Sequence, residues 1–460
     1  MRQVLRAAIA ALAAIAAAAT AHAQGLVRDT EIEAVMRAYT DPLLEAAQLE
    51  TNDVDFYLVG NMEFNAFVTR GQNIFMHTGT IVRAETPSEI KGVISHEIGH
   101  IEGAHLVRSG EASRGAMATM AASLALGLVA ALAGEGAAGA AIMASAPQFA
   151  TMDFLRYSRA QEAAADQAAI RFLTATGQSG RGLVRTFERL SYQEVFSDQR
   201  RWEYFRSHPL SSQRVDALRR NVEASPYADR PDTDAEITEL RRIQAKIIGF
   251  MVPPAQTFSR YPESDQSLPA RYARSVAYYK QGLLDRAQEE LATLIEDSPD
   301  DPFFHELHGQ MLYESGAIAD SIEPNRRAVE LMPNAPLLRI GLAASLIAEG
   351  SDDYLDEAVS HLRFALAEEP DNAFGWFQLS LAHQARGETA EAELATAERA
   401  FAVGDHVQAF QFASRARDEL ERGTPAYIRA IEIIAAAQPS PREIREHNRR
   451  RQGLPRQRTR

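Results

Sequence analysis

The sequence predicts a mainly α-helical protein with a small β-sheet, in which a helical N-terminal domain precedes an α-solenoid. Glycine recurs every 34 residues in the C-terminal half, at Gly282, Gly316 and Gly350, and this period is typical of stacked helix pairs. In the N-terminal half, apolar residues follow a helical spacing after Thr86, whereas residues 55–68 are rich in aromatic and β-branched side chains. A chain of 460 residues also exceeds what one hydrophobic core usually holds, which indicates two or three domains.

Residues 1–23 have the features of a signal peptide. Two arginines precede an alanine-rich apolar run, and Ala21-His22-Ala23 is an A-x-A cleavage site that would leave Gln24 first. An uncleaved membrane anchor is the alternative, but the run is short and rich in alanine. The chain has no cysteine, so it cannot use disulfides, which suits a bacterial periplasm.

A helix is predicted to begin at Thr86. Residues 86–89 read Thr-Pro-Ser-Glu, which has the form of a capping box with proline in the first helical turn. Apolar residues then recur at helical spacing, at Ile90, Val93, Ile94 and Ile98. The helix is therefore expected to be partly buried.

The same helix carries an H-E-x-x-H motif, His96 to His100. Residues four apart on a helix lie about 40° apart around its axis, so both imidazoles can bind one metal ion. Glu97 lies beside them and can reach a metal-bound water.

Two residues compete to be the third metal ligand. Metzincins place a third histidine six residues after the second, but His105 follows His100 by five residues, and one residue of slip is about 100° on a helix. Glu162 lies in the helix-forming stretch 158–166, and Asp166 shares its face. Glu162 is the favoured ligand, with Asp166 accepting a hydrogen bond from a ligand imidazole. Two solvated carboxylates on an alanine-rich helix are the alternative.

An apolar stretch, 116–146, separates the two motifs and is broken at residues 134–136 (Gly-Glu-Gly). It is expected to form a helical hairpin beside the cleft, or to dip into a membrane surface.

His208 precedes a proline, so it is expected on a turn. Three roles remain open: donation to a tetrahedral oxyanion, occupation of the open zinc position to silence the site, or capping of a neighbouring helix.

These residues resemble the HtpX-like gluzincin peptidases, and within them the BepA-like periplasmic metalloproteases with tetratricopeptide repeats. The resemblance covers nearly the whole mature chain, and the further matching stretches are 65–67, 71–75, 158–159 and 207–209 followed by Arg214. It implies a gluzincin-type metallopeptidase domain that binds one zinc ion per chain. The implied ligands are His96, His100 and Glu162, and the implied catalytic base is Glu97.

Three protein ligands leave one zinc position for a water of lowered pKa, from which Glu97 can take a proton before the peptide carbonyl is attacked. The predicted sheet within 55–68 would hold the substrate as an added strand. The resemblance implies misfolded or stalled outer-membrane proteins as substrates, and a second, assembly-promoting or chaperone activity. The competing hypothesis is a non-catalytic scaffold with a structural zinc, against which Glu97 argues because it would ligate nothing there.

The predicted domains are a peptidase domain (24–222), a helix and proline-containing linker (223–269), tetratricopeptide repeats (270–437) and a basic, disordered tail (438–460). Pro299 and Pro333 keep the repeat offset, and Gly387 follows Gly350 by 37 residues, which indicates a three-residue insertion near residues 351–355. The solenoid is expected to present a groove for substrate or for outer-membrane assembly machinery.

Charge limits the partners. The formal net charge is −14, which argues against nucleic acid. The arginine-rich tail could contact anionic lipid or an acidic partner, or stay solvated without a function.

Overall fold

The structure, a computed structural model, describes residues 25–69, 72–132, 136–196, 204 and 208–451. The chain forms two compact units, Met1–Thr257 and Phe258–Arg460. The predicted signal peptide, 1–23, lies outside the described residues.

The first unit contains one four-stranded sheet. Its strands are β1 (Leu26–Val27), β2 (Phe56–Val59), β3 (Ala66–Thr69) and β4 (Asn73–His77). Their order is β1-β2-β4-β3, and only the β2–β4 pair is parallel. The pleat places Leu58, Ile74 and Met76 in the core, while Tyr57, Phe75 and Phe67 stack across three strands at ring distances of 5.0 and 5.3 Å.

Helices surround this sheet. They are α1 (Thr30–Ala46), α2 (Thr78–Arg83), α3 (Pro87–Glu102), α4 (His105–Leu132), α5 (Gly136–Ala175), α6 (Arg181–Phe196), α7 (Ser212–Glu223) and α8 (Asp234–Met251), with α9 (Pro254–Arg260) at the boundary between the units. We call α3 the motif helix and α5 the ligand helix. Every residue of the motif helix from Pro87 to His100 is buried, so it forms the centre of this unit.

The motif helix begins where the sequence predicts, with Thr86 as N-cap and proline in the first turn. The capping box itself does not form. Arg185 donates to the Thr86 hydroxyl at 3.0 Å, and Arg189 donates to the Glu89 carboxylate at 2.7 Å. Both side chains that would cap the helix therefore bind α6 instead.

The stretch between the motifs forms the predicted helical hairpin, in which α4 and the first part of the ligand helix pack along each other. Within the described residues, none of the helices combines the length and apolar character needed to cross a membrane.

The segment predicted as helix and linker, 223–269, is divided by the structure after Thr257. Helix α8 is the helix predicted in this segment, but it packs into the first unit's core, where Leu240, Ile243 and Ile247 are buried. Its apolar face accounts for this position.

The second unit is a series of helix pairs. They are α10 (Leu268–Lys280), α11 (Leu284–Asp297), α12 (Pro302–Glu314), α13 (Ile318–Leu331), α14 (Pro336–Glu349), α15 (Asp352–Glu368), α16 (Ala373–Ala385), α17 (Thr389–Ala402), α18 (His406–Glu419) and α19 (Pro425–Ala436). The periodic glycines have positive φ, as at Gly316 (88°) and Gly350 (80°), a conformation that favours glycine. Helix α15 has 17 residues where α13 has 14, so the three-residue insertion lengthens a helix. The predicted fold class is confirmed.

One hydrogen bond recurs in these repeats. A side chain six residues after the loop proline donates to that proline's carbonyl: His305 to Pro299 at 2.8 Å, Arg339 to Pro333 at 2.7 Å and Trp376 to Pro370 at 2.7 Å. Three different side chains thus satisfy the same backbone acceptor.

The tail differs from the expectation of disorder, because residues Pro441–Arg451 form helix α20. Ser440 and Glu443 make a reciprocal capping box, with distances of 2.7 and 3.3 Å, and Arg442 bonds Glu446 one turn later. Residues 452–460 lie outside the described residues.

Candidate metal centre

A glycine brings the motif helix against the ligand helix. A Cβ atom added at Gly99 would lie 2.8 Å from the carbonyl oxygen of Ala165, closer than real Cβ atoms approach. Gly99 lies within the H-E-x-x-H motif, and Ala165 lies beside Asp166. The close approach therefore sets the two motifs side by side.

Four buried side chains converge where these helices meet: His96, His100, Glu162 and His208 offer ligand atoms that all lie within 4.8 Å of one another. The Nε2 atoms of His96 and His100 are 3.1 Å apart. Glu162 places Oε2 at 3.4 Å from His96 Nε2 and Oε1 at 3.4 Å from His100 Nε2. His208 Nδ1 lies 3.3 Å from His96 Nε2 and from Glu162. Such a group could hold a metal ion.

The outer nitrogens of the two motif histidines have partners of their own. His96 Nδ1 lies 3.0 Å from Asp166 Oδ1, as the sequence pattern predicts for a ligand imidazole. His100 Nδ1 lies 2.9 Å from His105 Nδ1. His105 thus contacts a candidate ligand and stays outside the convergent group.

Arg214 binds the carboxylates of both Asp166 and Glu162. Its guanidinium binds Asp166 at 2.8 and 2.9 Å, and a third nitrogen lies 2.9 Å from Glu162. The same side chain donates to the carbonyl of Pro209 at 2.8 Å, next to His208. Arg214 therefore links the ligand helix to the segment that carries His208.

Glu97 is fully buried beside the centre. Neither of its carboxylate oxygens has a hydrogen-bond partner among the described residues, and His208 Nε2 lies 3.6 Å from Oε1. Burial raises the pKa of Glu97. A buried carboxylate of raised pKa is suited to accept a proton.

Burial and negative charge compete in setting the other pKa values. Burial lowers the pKa of His96, but hydrogen bonds to Asp166 and Glu162 outweigh it and raise the value to about 10. Burial raises the pKa of Glu162, but hydrogen bonds from His208 and His96 outweigh it, so the net shift is downward. Burial lowers the pKa of His100 well below its usual value. The centre thus pairs an anionic carboxylate with one protonated and one neutral imidazole, and a metal ion bound there would replace the proton of His96.

The structure brings together all six residues that the sequence analysis singled out, namely His96, Glu97, His100, Glu162, Asp166 and His208. Sequence reasoning noted Arg214 only as a match and missed its contacts. The available signal was its place six residues after His208, which here puts it at the first turn of α7.

Comparisons with known proteins support this site. Residues 9–222 match Peptidase family M48. The chain is 26% identical over 412 residues to the "Putative beta-barrel assembly-enhancing protease" of Vibrio cholerae, covering 86% of this chain and 83% of that protein. It is 23% identical to the "Beta-barrel assembly-enhancing protease" of Escherichia coli K12, covering 87% and 81%.

A shorter match is to another protein named as a metalloprotease. "Metalloprotease LoiP" of Escherichia coli K12 is 29% identical over 165 residues, which cover 35% of this chain and 60% of that protein. Together these comparisons confirm the resemblance to a BepA-like metalloprotease.

Proposed function

We propose, from the match of residues 9–222 to Peptidase family M48, that this chain is a zinc-dependent endopeptidase. The observation that carries the proposal is the buried convergence of His96, His100 and Glu162, with Glu97 beside them accepting no hydrogen bond from the described residues. A structural metal site needs ligands only, whereas a carboxylate held next to the ligands is what hydrolysis requires.

The spacing of the donor atoms fits zinc. Zinc binds nitrogen and oxygen at about 2.0–2.2 Å, so two ligands of a tetrahedral site lie about 3.3 Å apart. The Nε2 atoms of His96 and His100 are 3.1 Å apart, Oε2 of Glu162 lies 3.4 Å from the first of them, and Oε1 of Glu162 lies 3.4 Å from the second. Imidazole and carboxylate donors also suit this ion.

Bound zinc would polarise a peptide carbonyl and acidify a water. Glu97 accepts the proton of that water and returns it to the leaving amine. Asp166 holds the tautomer and orientation of His96 from its outer nitrogen, and Arg214 holds Asp166.

In this proposal His208 closes the centre as a fourth ligand, because its Nδ1 lies 3.3 Å from His96 Nε2 and from Glu162. We propose that the resting enzyme is latent, with His208 in the position that a water must occupy. Displacement of His208 opens that position, after which its imidazole can donate to the oxyanion.

The strand β3 is the proposed substrate site. It lies at the edge of the sheet and contacts the motif helix. An extended peptide can add to such an edge through main-chain hydrogen bonds, which read little of the sequence. Weak sequence preference suits an enzyme that removes misfolded proteins.

We propose misfolded or stalled outer-membrane proteins as substrates, because the most extensive matches are to proteases named for β-barrel assembly. The same names support a periplasmic location after cleavage of residues 1–23. The helix pairs of the second unit are proposed to be tetratricopeptide repeats that recruit substrate or assembly machinery, with an accompanying chaperone activity.

The test compares the mature chain, Gln24 to Arg460, with its Glu97→Gln variant in cleavage of an unfolded outer-membrane protein or casein. Zinc content is measured in both. We expect zinc to stay near one per chain and cleavage to fall at least about a thousandfold. Glu102→Gln is the matched control, because Glu102 lies on the same helix but pairs with Arg171 at the surface.

Equal cleavage by wild type and Glu97→Gln would refute the peptidase. If neither protein cleaves, His208→Ala separates the latent enzyme from a scaffold with a structural zinc. A latent enzyme gains activity in this variant, whereas a scaffold stays inactive. Unchanged zinc affinity and unchanged turnover in His208→Ala would remove His208 from the site.

A further inference from the structure

The hairpin between the two metal-binding motifs exposes large apolar side chains. Met117, Leu126 and Leu128 of α4 are 67%, 61% and 54% exposed, and Leu124 is 39% exposed. Neighbouring side chains that the structure describes, such as Ala121 and Ala125, are also exposed. Four large apolar side chains so close together on one helix indicate an interaction surface.

These side chains point to opposite sides of α4. At about 100° per residue, Leu124 and Leu128 lie within about 20° of Met117 around the helix, whereas Leu126 lies about 180° away. A groove in a protein partner covers one face of a helix. A lipid phase can cover both faces at once, so the distribution favours lipid.

Charged residues are unevenly distributed along the hairpin. Residues 115–132 and 136–152 contain no charged side chain. Arginines outnumber acidic residues where α4 begins and in the part of α5 that runs beside it. The arginines are Arg108, Arg114, Arg156 and Arg159, and the acidic residues are Glu111 and Asp153. Because the arms are antiparallel, all of them lie at one end of the hairpin, and Arg114 and Arg159 are exposed. This excess of cations contrasts with the chain's net charge of −14 and complements anionic headgroups.

The hairpin suits a shallow contact. Its arms consist mostly of alanine and glycine, and Glu135 lies in the segment that joins them. These features disfavour crossing the bilayer and favour partial immersion of both arms, with apolar side chains among the acyl chains and arginines at the headgroups.

We propose that the two arms of the hairpin, residues 115–132 and 136–152, dock this peptidase on an anionic phospholipid bilayer. The second arm continues without interruption into the part of the ligand helix that carries Glu162. Docking therefore fixes the position of the metal centre relative to the bilayer. The proposal does not depend on the peptidase activity.

The test is co-flotation of the mature full chain with vesicles of phosphatidylcholine and phosphatidylglycerol at 3:1. The test variant carries Leu124→Glu, Leu126→Glu and Leu128→Glu, which are tolerable in the fold because all three side chains are exposed. We expect its partition coefficient to fall at least about tenfold. The control carries Leu283→Glu, Val403→Glu and Ile428→Glu, three exposed apolar residues of the second unit. It has the same change in charge and should bind within about twofold of wild type.

Four results would overturn the proposal. Wild type that stays with the soluble fraction excludes docking. Equal flotation of wild type and the Leu124 to Leu128 variant would show that another part of the chain binds the lipid. Equal binding of wild type to vesicles of pure phosphatidylcholine would show that anionic lipid is not required. If wild type is dimeric and the test variant is monomeric, a second copy covers the hairpin instead. Zinc content and cleavage in solution should stay unchanged in the test variant, so failure here leaves the proposed function standing.

Discussion

The two units of this protein bury different kinds of residues. The first unit encloses the ionisable centre of His96, Glu97 and Glu162, whose side chains are at most 3% exposed. The second unit packs small residues, such as Ala287, Ala328 and Ala358, between helices that repeat. A change in the first unit therefore disturbs several coupled charges, whereas a change in the second should stay within one repeat.

Zinc removal should give the largest difference between the units. Because the proposed zinc site forms only in the folded chain, a thousandfold excess of free zinc over the Kd should stabilise the first unit by about 4 kcal/mol. Chelation should remove this stabilisation and leave the second unit unchanged. Hydrogen exchange followed by mass spectrometry reports the two units separately, through peptides of the motif helix and of α13. Equal acceleration of exchange in both peptides would contradict the contrast.

Loss of a buried arginine should give the next largest effect. Arg214→Ala leaves Asp166 and Glu162 buried without their cation, and breaking such a buried pair costs about 3 kcal/mol. The matched variant in the second unit is Arg326→Ala, whose partner Glu357 is 34% exposed and whose loss should cost about 0.5 kcal/mol. Urea midpoints measure both. Similar losses of unfolding free energy in the two variants would show that the charges of the buried centre are no more strongly coupled than an exposed ion pair.

Two glycines provide a smaller test. Gly99→Ala meets the backbone of Ala165 and should cost about 2 kcal/mol and weaken zinc binding. Gly316→Ala meets nothing within 4 Å but must hold a φ of 88°, which should cost about 1 kcal/mol. Zinc affinity should be unaffected by the second substitution. If Gly99→Ala keeps full zinc affinity, the helices can separate without disturbing the ligands.

The elements that the sequence predicts best are the periodic ones. The 34-residue glycine period locates the helix pairs, and the apolar spacing from Ile90 to Ile98 locates the motif helix. The pairing of Glu162 with Asp166 on one helix face follows from a spacing of four. These predictions need only local geometry, which the sequence contains.

The errors arise where distant side chains compete for a local group. Residues 86–89 (Thr-Pro-Ser-Glu) and 440–443 (Ser-Pro-Arg-Glu) have the same capping pattern. The second pair of side chains makes the capping bonds and begins α20, whereas the first pair binds arginines of α6. The contacts of Arg214 were missed for the same reason, since they join residues 48 positions apart.

The recurring bond to the loop prolines has a consequence for how this protein can diverge. The backbone carbonyl needs only an N–H donor, and histidine, arginine and tryptophan all supply one. Substitutions among these types can alter the size and charge of the outer surface while each joint between repeats keeps its bond. Related proteins are therefore expected to vary in residue type at these three positions and to retain a donor, so that new binding preferences can evolve without loss of the scaffold.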